Sequence, residues 1–177
     1  MKKFVLVAFT LSLLSGCTLI DMEPGKVTKR KLVGNWECTT NYTDHNFKTV
    51  NNLKLNQDGS LTNNSTVIEP IDKPFFVYEV SSTGSWLLNE NRLSYTLTTK
   101  AVTPRHTAEA KDAIEKDLRY KDYEEKLFKK YSQRINKQNT INFVITSLKR
   151  EQNTGKDVLS LVQQSAQKSY NSNCVRK

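Results

Sequence analysis

The chain has 177 residues, of which 37% are hydrophobic and 25% charged, which is ordinary for one globular domain and too little for two sizeable cores. Its formal net charge is +9 at pH 7. A basic balance often indicates a nucleic-acid partner, but the N-terminal segment predicts export from the cell, which excludes that partner.

Residues 1–16 have the pattern of a signal peptide. Two lysines precede an apolar run from Phe4 to Leu14, which is too short to span a bilayer core about 30 Å thick. The run ends in Leu14-Ser15-Gly16-Cys17, which resembles the lipobox of bacterial lipoproteins. This resemblance implies that residues 1–16 are removed and that Cys17 carries the lipid anchor. The alternative is an ordinary secretory signal with an incidental cysteine.

Residues 17–31 follow as a predicted tether. They combine Pro24-Gly25 with several basic residues and show no apolar period, which is typical of a flexible linker. Thr18, rather than an aspartate, follows the cysteine, which resembles the signal for outer-membrane export in enteric-type bacteria. The expected location is therefore the cell envelope, with the chain lipid-anchored to the outer membrane and facing the periplasm.

The segment from Leu32 to Tyr42 is the predicted first strand of the folded domain. Its alternate residues form one apolar face that includes Trp36, and this period of two predicts a half-buried strand. The Gly34-Asn35-Trp36 motif resembles the opening of the lipocalins and of the lipocalin-like lipoproteins of bacteria. The resemblance implies an up-and-down antiparallel β-barrel of about eight strands over residues 32–177.

Later segments repeat the alternation between turn signals such as Asp58-Gly59. Asn63 and Asn64, in the middle of the third strand, predict partial exposure there, and Gly84 is a predicted bulge. A second Gly-x-Trp, ending at Trp86, strengthens the lipocalin-like resemblance. The predicted strands are Phe47–Asn56, Leu61–Ile68, Phe75–Leu88, Arg92–Lys100, Ile141–Arg150, Val158–Val162 and Ser169–Val175.

Residues 108–135 interrupt the strands. They contain no Gly or Pro, and their apolar residues step by two to four positions, which predicts one long amphipathic helix. Basic residues near the C-terminal end of the predicted helix, such as Lys129, Lys130 and Arg134, interact favourably with the helix dipole. The nearly balanced charge of the polar face indicates that this face is solvated. We expect the apolar stripe to pack against the barrel wall or to plug one mouth.

Cys38 and Cys174 remain once Cys17 is assigned to lipid. An even pair of cysteines in an oxidising compartment predicts a disulfide, with two free thiols as the alternative. The first and last strands of a closed antiparallel barrel are neighbours, so closure would permit this bond.

The sequence offers little for catalysis or for metal binding. His45 and His106 have no cysteine at ligand spacing, and both are predicted loop histidines without a metal or cofactor. No Gly-rich phosphate loop and no Gly-x-Ser-x-Gly elbow occurs. The expected protein is therefore not an enzyme.

Two classes of function remain open. In the first, the barrel binds a small apolar or amphipathic molecule rather than a charged metabolite, because the inward positions carry no charge. In the second, the core is filled, Trp36 and Trp86 included, and the protein binds another envelope protein as an inhibitor, immunity factor or assembly accessory. The membrane, through the lipid anchor, is the other expected partner. The residues predicted to line a ligand site are Trp36, Tyr42, Trp86, Tyr95 and Leu97.

Overall fold

A computed structural model describes residues 27–165 and 168–177. They form a closed barrel of eight antiparallel strands, each paired with the next in sequence and the last with the first, which confirms the predicted up-and-down barrel. Cys17 and the predicted signal peptide lie outside the described residues. The strands are β1 Gly34–Tyr42, β2 Phe47–Leu55, β3 Ser60–Glu69, β4 Phe76–Asn89, β5 Arg92–Pro104, β6 Gln138–Arg150, β7 Asp157–Gln164 and β8 Ser169–Arg176.

Three short helices and one 3-10 turn accompany the strands. They are α1 Lys29–Leu32, the 3-10 turn Thr43–His45, α2 Ala108–Lys116 and α3 Leu118–Ser132. The helices α2 and α3 lie between β5 and β6. Within the described part of the chain, no helix is both long enough and apolar enough to cross a membrane.

The two ends of the barrel differ. At the end where β1 begins and β8 ends, large apolar side chains fill the barrel interior, and we call this the closed end. The opposite end, where β1 finishes and β8 begins, is the mouth. The closed end is filled mainly by Leu32, Trp36, Leu55, Leu61, Trp86, Leu93 and Leu159, each with at most 3% of its surface exposed.

Helix α1 corrects the predicted boundary between tether and barrel. Residues 29–31 belong to a helical turn rather than to the tether, and Leu32 ends that turn rather than starting β1. The turn places the Leu32 side chain on the closed end, where it is fully buried, and its carbonyl accepts a 2.7 Å hydrogen bond from Nε1 of Trp36. Burial of this leucine stabilises the turn, whereas an extended tether would leave it in water.

The pair formed by β1 and β8 closes the barrel. Cys38 lies directly opposite Cys174 in this pair, and their Cα atoms are 3.9 Å apart. The two sulfurs form a disulfide, as predicted. The covalent bond therefore lies across the one junction that joins the two ends of the sheet.

The position predicted for a bulge was wrong. Gly84 pairs regularly with Leu97, and the register shift lies between Ser81 and Ser82, with Lys100 as the extra residue on β5. Glycine is needed at position 84 for another reason: a Cβ atom there would lie 1.8 Å from the carbonyl oxygen of Thr96. Close approach of two backbones, rather than a bulge, explains this glycine.

The predicted single helix over residues 108–135 is two helices. Asp117 adopts an extended conformation between them, and its side chain accepts a 2.9 Å hydrogen bond from the backbone N–H of Arg119. An aspartate that caps a following helix competes with helical continuation, which explains a break without Gly or Pro. The second helix also ends at Ser132, three residues earlier than predicted.

Helix α3 packs against the mouth end of β3 and β4. Its Leu127 and Tyr131 form a second apolar cluster with Val67, Phe76 and Tyr78. The C-terminal part of the apolar stripe therefore packs on the barrel, as predicted, whereas Leu118 at the start of α3 is 75% exposed. Because the helix covers only one side of the mouth, the C-terminal part of α3 forms one edge of the opening.

Candidate ligand-binding cavity

A cavity of about 760 Å³ lies inside the barrel between the closed end and the mouth. This volume falls within the range of roughly 300 to 1,000 Å³ that is typical of small-molecule sites. At the mouth, the lining includes exposed side chains such as Arg134 and Lys137, so the cavity is open to solvent there. The interior of this barrel is therefore not completely filled by its own side chains.

Three of the five predicted lining residues contact the cavity. Tyr42, Tyr95 and Leu97 line it, whereas Trp36 and Trp86 do not. The two tryptophans fill the closed end instead, where the indole N–H of Trp86 donates to the carbonyl of Asn56 at 2.9 Å. Strand alternation predicts the face on which a side chain lies, but it does not predict its depth along the barrel axis.

One wall of the cavity is apolar. It is formed by β5, β6 and β7 and includes Leu97, Ile141, Phe143 and Leu161, together with the ring of Tyr95. The rings of Tyr95 and Phe143 pack with their centroids 5.2 Å apart, and burial raises the pKa of the Tyr95 hydroxyl well above its usual value. This wall is therefore uncharged and suited to aliphatic or aromatic groups.

The facing wall is polar but contains no charge. Its side chains come from β1, β2, β3, β4 and β8, and they are Thr40, Thr49, Asn51, Asn63, Ser65, Ser82 and Ser172. The prediction of partial exposure at Asn63 was wrong, because this residue faces the cavity and only 6% of its surface is exposed. Asn64, its neighbour, is the exposed one.

Asn51 and Asn63 form a hydrogen-bonded pair across β2 and β3. Asn51 Nδ2 donates to Oγ1 of Thr49 at 3.0 Å, which turns its carbonyl oxygen toward Asn63. Asn63 Nδ2 donates to that oxygen at 3.2 Å. The buried Oδ1 of Asn63 then has no donor among the described residues. This oxygen is buried rather than exposed to the cavity, so the pair stabilises the polar wall without offering a free acceptor to a ligand.

The rim of the mouth is basic. Lys130 and Arg134 come from the end of α3 and the turn after it, and Lys137 precedes β6. Lys130 Nζ lies 5.9 Å from the ring centroid of Phe47 and 5.5 Å from that of Tyr131, within the range of cation–π attraction. Sequence reasoning assigned Lys130 and Arg134 to the helix dipole, did not consider Lys137 and missed the rim, because the direction of the helix C-terminus depends on packing.

Two hydrogen bonds to Glu69 hold α3 at the mouth. The carboxylate of Glu69, at the end of β3, accepts from the hydroxyl of Tyr123 at 2.6 Å and from that of Tyr131 at 3.3 Å. The hydrogen bond to Glu69, followed by burial, raises the pKa of Tyr123 to about 12. Burial and the nearby charge of Glu69 raise the pKa of Tyr131 as well. The two neutral hydroxyls therefore bind this helix to the barrel.

His106 takes part in a second group of contacts beneath α3. As predicted, it lies in a loop, but it is buried there, and its Nδ1 accepts a 3.0 Å hydrogen bond from the N–H of Val77. Its Nε2 lies 3.2 Å from Oε1 of Glu124, which also accepts from the hydroxyl of Tyr78 at 3.3 Å. Both ring nitrogens are thus engaged in attaching the helix to β4.

Alkaline pH is expected to destabilise the protein through these tyrosines. The pKa of Tyr123 is raised to about 12 in the folded state, compared with a tyrosine pKa near 10 in the unfolded chain. The Tyr123 hydroxyl therefore contributes fully to the free energy of unfolding below pH 10, and this contribution is lost as the pH rises through 12. Urea unfolding at pH 9 and pH 11 measures this effect. Tyr123→Phe should lose less stability than the wild type between the two values, whereas the exposed Tyr120→Phe should behave as the wild type. An equal loss in all three proteins would contradict the assignment.

No protein-family model matches this chain, and no curated protein sequence matches it either. Over residues 27–165 and 168–177, no group of three or more His, Cys, Asp or Glu side chains is arranged to hold a metal ion. The cavity is the feature of the described residues that bears on function.

Proposed function

We propose that the protein binds one small amphipathic molecule inside the barrel. The observation that carries this proposal is the open cavity of about 760 Å³, in which an apolar wall faces an uncharged polar wall. A molecule with an apolar body and a polar group could satisfy both walls at once. The proposed role is binding and not catalysis.

The cavity also bears on the alternative, an interaction module with a filled core. Trp36 and Trp86 do fill the closed end, as that alternative expects. The space beyond them, however, exceeds the roughly 300 Å³ that marks the lower end of ligand sites. This volume favours a binding barrel over a filled scaffold for protein partners.

Filling the cavity is expected to weaken ligand binding at least tenfold. Leu97→Trp adds an indole to the apolar wall and removes volume that the ligand would occupy. Displacement of a fluorescent fatty acid by octadecanoate measures the affinity. Leu87→Trp is the matched control, because Leu87 is 67% exposed on the outside of the same barrel. Wild-type affinity in a folded Leu97→Trp variant would contradict binding in this cavity.

We also propose that the protein is an acylated lipoprotein of the cell envelope, on the outer membrane and facing the periplasm. The support is the sequence pattern that ends at Cys17.

Acylation is expected to appear in the mass of the mature protein. If the lipobox resemblance is correct, the chain from the membrane fraction begins at Cys17 and carries added acyl mass. Mass spectrometry of the intact protein and of its N-terminal peptide measures both. Cys17→Ala should leave an unprocessed chain without lipid. A mature N-terminus at another residue would disprove the assignment.

A further inference from the structure

We propose that the cavity binds an alkyl phosphate monoester, with the phosphate at the mouth beside Lys130, Arg134 and Lys137 and the alkyl chain directed toward the closed end. The inference rests on the proposed function, because it specifies the chemical class of the ligand of the same cavity. It follows from the charge of the rim, from the fixed position of that charge and from the depth of the apolar interior.

The charge at the mouth favours an anion. Lys130, Arg134 and Lys137 are the Lys and Arg side chains among the described residues that line the cavity, and no described Asp or Glu lines it. None of these three rim bases forms an ion pair within the described part of the chain. Asp44, on the 3-10 turn after β1, is already paired with Lys168. The rim therefore offers positive charge that an anionic head group can neutralise.

The turn that carries two of the rim bases is attached to the barrel. The backbone N–H of Asn136 donates to the carbonyl of Thr99 at 2.8 Å, and the N–H of Thr99 donates to the carbonyl of Lys137 at 3.4 Å. Burial raises the pKa of Tyr42, and the positive charge of Arg134 opposes this effect, so the guanidinium lies near the end of β1. Because the backbone of this turn is already ordered, an anion that binds here has less of it to order.

The number and the type of the rim bases favour a doubly charged head group. A phosphate monoester carries a charge of about −1.5 to −2 near pH 7, whereas a carboxylate carries a single charge. Three cations without a counter-ion attract the more highly charged group more strongly. The guanidinium of Arg134 can also bind two phosphate oxygens at once. Gln138 and Asn139, which follow Lys137 and line the same cavity, have amide groups that can donate to a further oxygen.

The interior favours an alkyl chain of limited length. The lining on β2 runs from Phe47 at the mouth to Leu53, which belongs to the core of the closed end. These six steps span about 20 Å along the strand, or about 15 Å along the axis of a barrel whose strands tilt by about 40°. An extended dodecyl chain, with carbon–carbon bonds of about 1.5 Å, has a comparable length. Its methylene groups can pack on Leu97, Phe143 and Leu161 of the apolar wall.

The test compares dodecyl phosphate, dodecyl methyl phosphate, dodecan-1-ol and inorganic phosphate. The methyl ester keeps the phosphate group but carries only one negative charge, and the alcohol carries none. Affinities are measured by titration calorimetry on the folded wild-type chain, at low salt and below the concentrations at which micelles form. We expect dodecyl phosphate to bind at least tenfold more tightly than its methyl ester. It should bind at least a hundredfold more tightly than the alcohol or inorganic phosphate.

Two triple variants assign the preference for phosphate to the rim. Changing the three rim bases to glutamine should bring dodecyl phosphate to within about threefold of its methyl ester, because the charge that distinguishes the two ligands is gone. Changing three exposed lysines of α3 that do not line the cavity removes the same charge elsewhere and should preserve the preference. The rim variant carries Lys130→Gln, Arg134→Gln and Lys137→Gln, and the control carries Lys121→Gln, Lys126→Gln and Lys129→Gln.

The wild-type measurements alone can overturn the inference, even if a variant fails to fold. Equal affinity for dodecyl phosphate and its methyl ester would refute the doubly charged head group, and equal affinity for dodecyl phosphate and the alcohol would refute the role of the rim. In both cases a dodecyl compound binds, so the proposed function stands. Equal affinity for dodecyl phosphate and inorganic phosphate would refute the role of the chain. If no dodecyl compound binds, the inference fails, and the displacement experiment with octadecanoate decides the proposed function separately.

Discussion

Loss of the Cys38–Cys174 disulfide is expected to lower the free energy of unfolding by about 4 to 5 kcal/mol in the chain-entropy model. The bond joins residues 136 positions apart, so its loss frees almost the whole barrel sequence in the unfolded state. It also lies between β1 and β8, where it holds the barrel closed. Urea unfolding of the Cys38→Ser, Cys174→Ser double variant measures the change.

Reductant supplies the control for this experiment. Dithiothreitol should destabilise the wild type by a similar amount, and it should not affect the double variant. The single change Cys174→Ser should be as destabilising as the double change, while exposing a thiol to labelling during unfolding. A loss below about 1 kcal/mol would mean that the hydrogen bonds between β1 and β8 suffice to close the barrel.

Trp36→Ala is expected to cost about 3 to 5 kcal/mol, the usual range for truncation of a buried aromatic side chain. Only 1% of Trp36 is exposed, and its indole N–H donates to the carbonyl of Leu32. The guanidinium of Arg176 lies 4.3 Å from its ring centroid and would also lose this contact. Thermal and urea unfolding measure the loss, and the exposed Leu87→Ala should stay within about 0.5 kcal/mol of the wild type.

The same variant separates stability from binding. Trp36 does not line the cavity, so ligand affinity should stay close to that of the wild type under conditions where Trp36→Ala is folded. If the folded variant lost affinity tenfold, Trp36 would belong to the ligand site after all. Leu97→Trp should show the opposite behaviour, with weaker binding and a smaller loss of stability.

Most of the barrel could be predicted from the sequence, because a period of two directly specifies which side chains face the core. Leu93, Tyr95 and Leu97 illustrate this, since all three are buried as their alternation predicts. The break at Asp117 could not be predicted in this way. A helix without Gly or Pro has no obvious stop, and the capping hydrogen bond becomes visible only once the backbone has turned.

The candidate site was less predictable than the fold. Tyr42, Tyr95 and Leu97 were identified because they lie on the inward faces of their strands. Trp36 also lies on an inward face, but it is at the closed end of the barrel and does not reach the cavity. Asn63 was missed because a polar residue in a strand ordinarily indicates exposure to solvent. Within a barrel that keeps a cavity, the inner face can also be polar. That outcome depends on the space left by all the other side chains.

The order of the strands has a consequence for how the chain folds. Each strand pairs with the one before it in sequence, so most of the sheet can assemble from hairpins with short loops. Pairing of β1 with β8 brings together the most distant strands, and its loop-closure entropy is the largest in the barrel. We therefore expect this step to come last during folding. Until then the two cysteines of the barrel are far apart, and a partly folded chain presents both of them as free thiols.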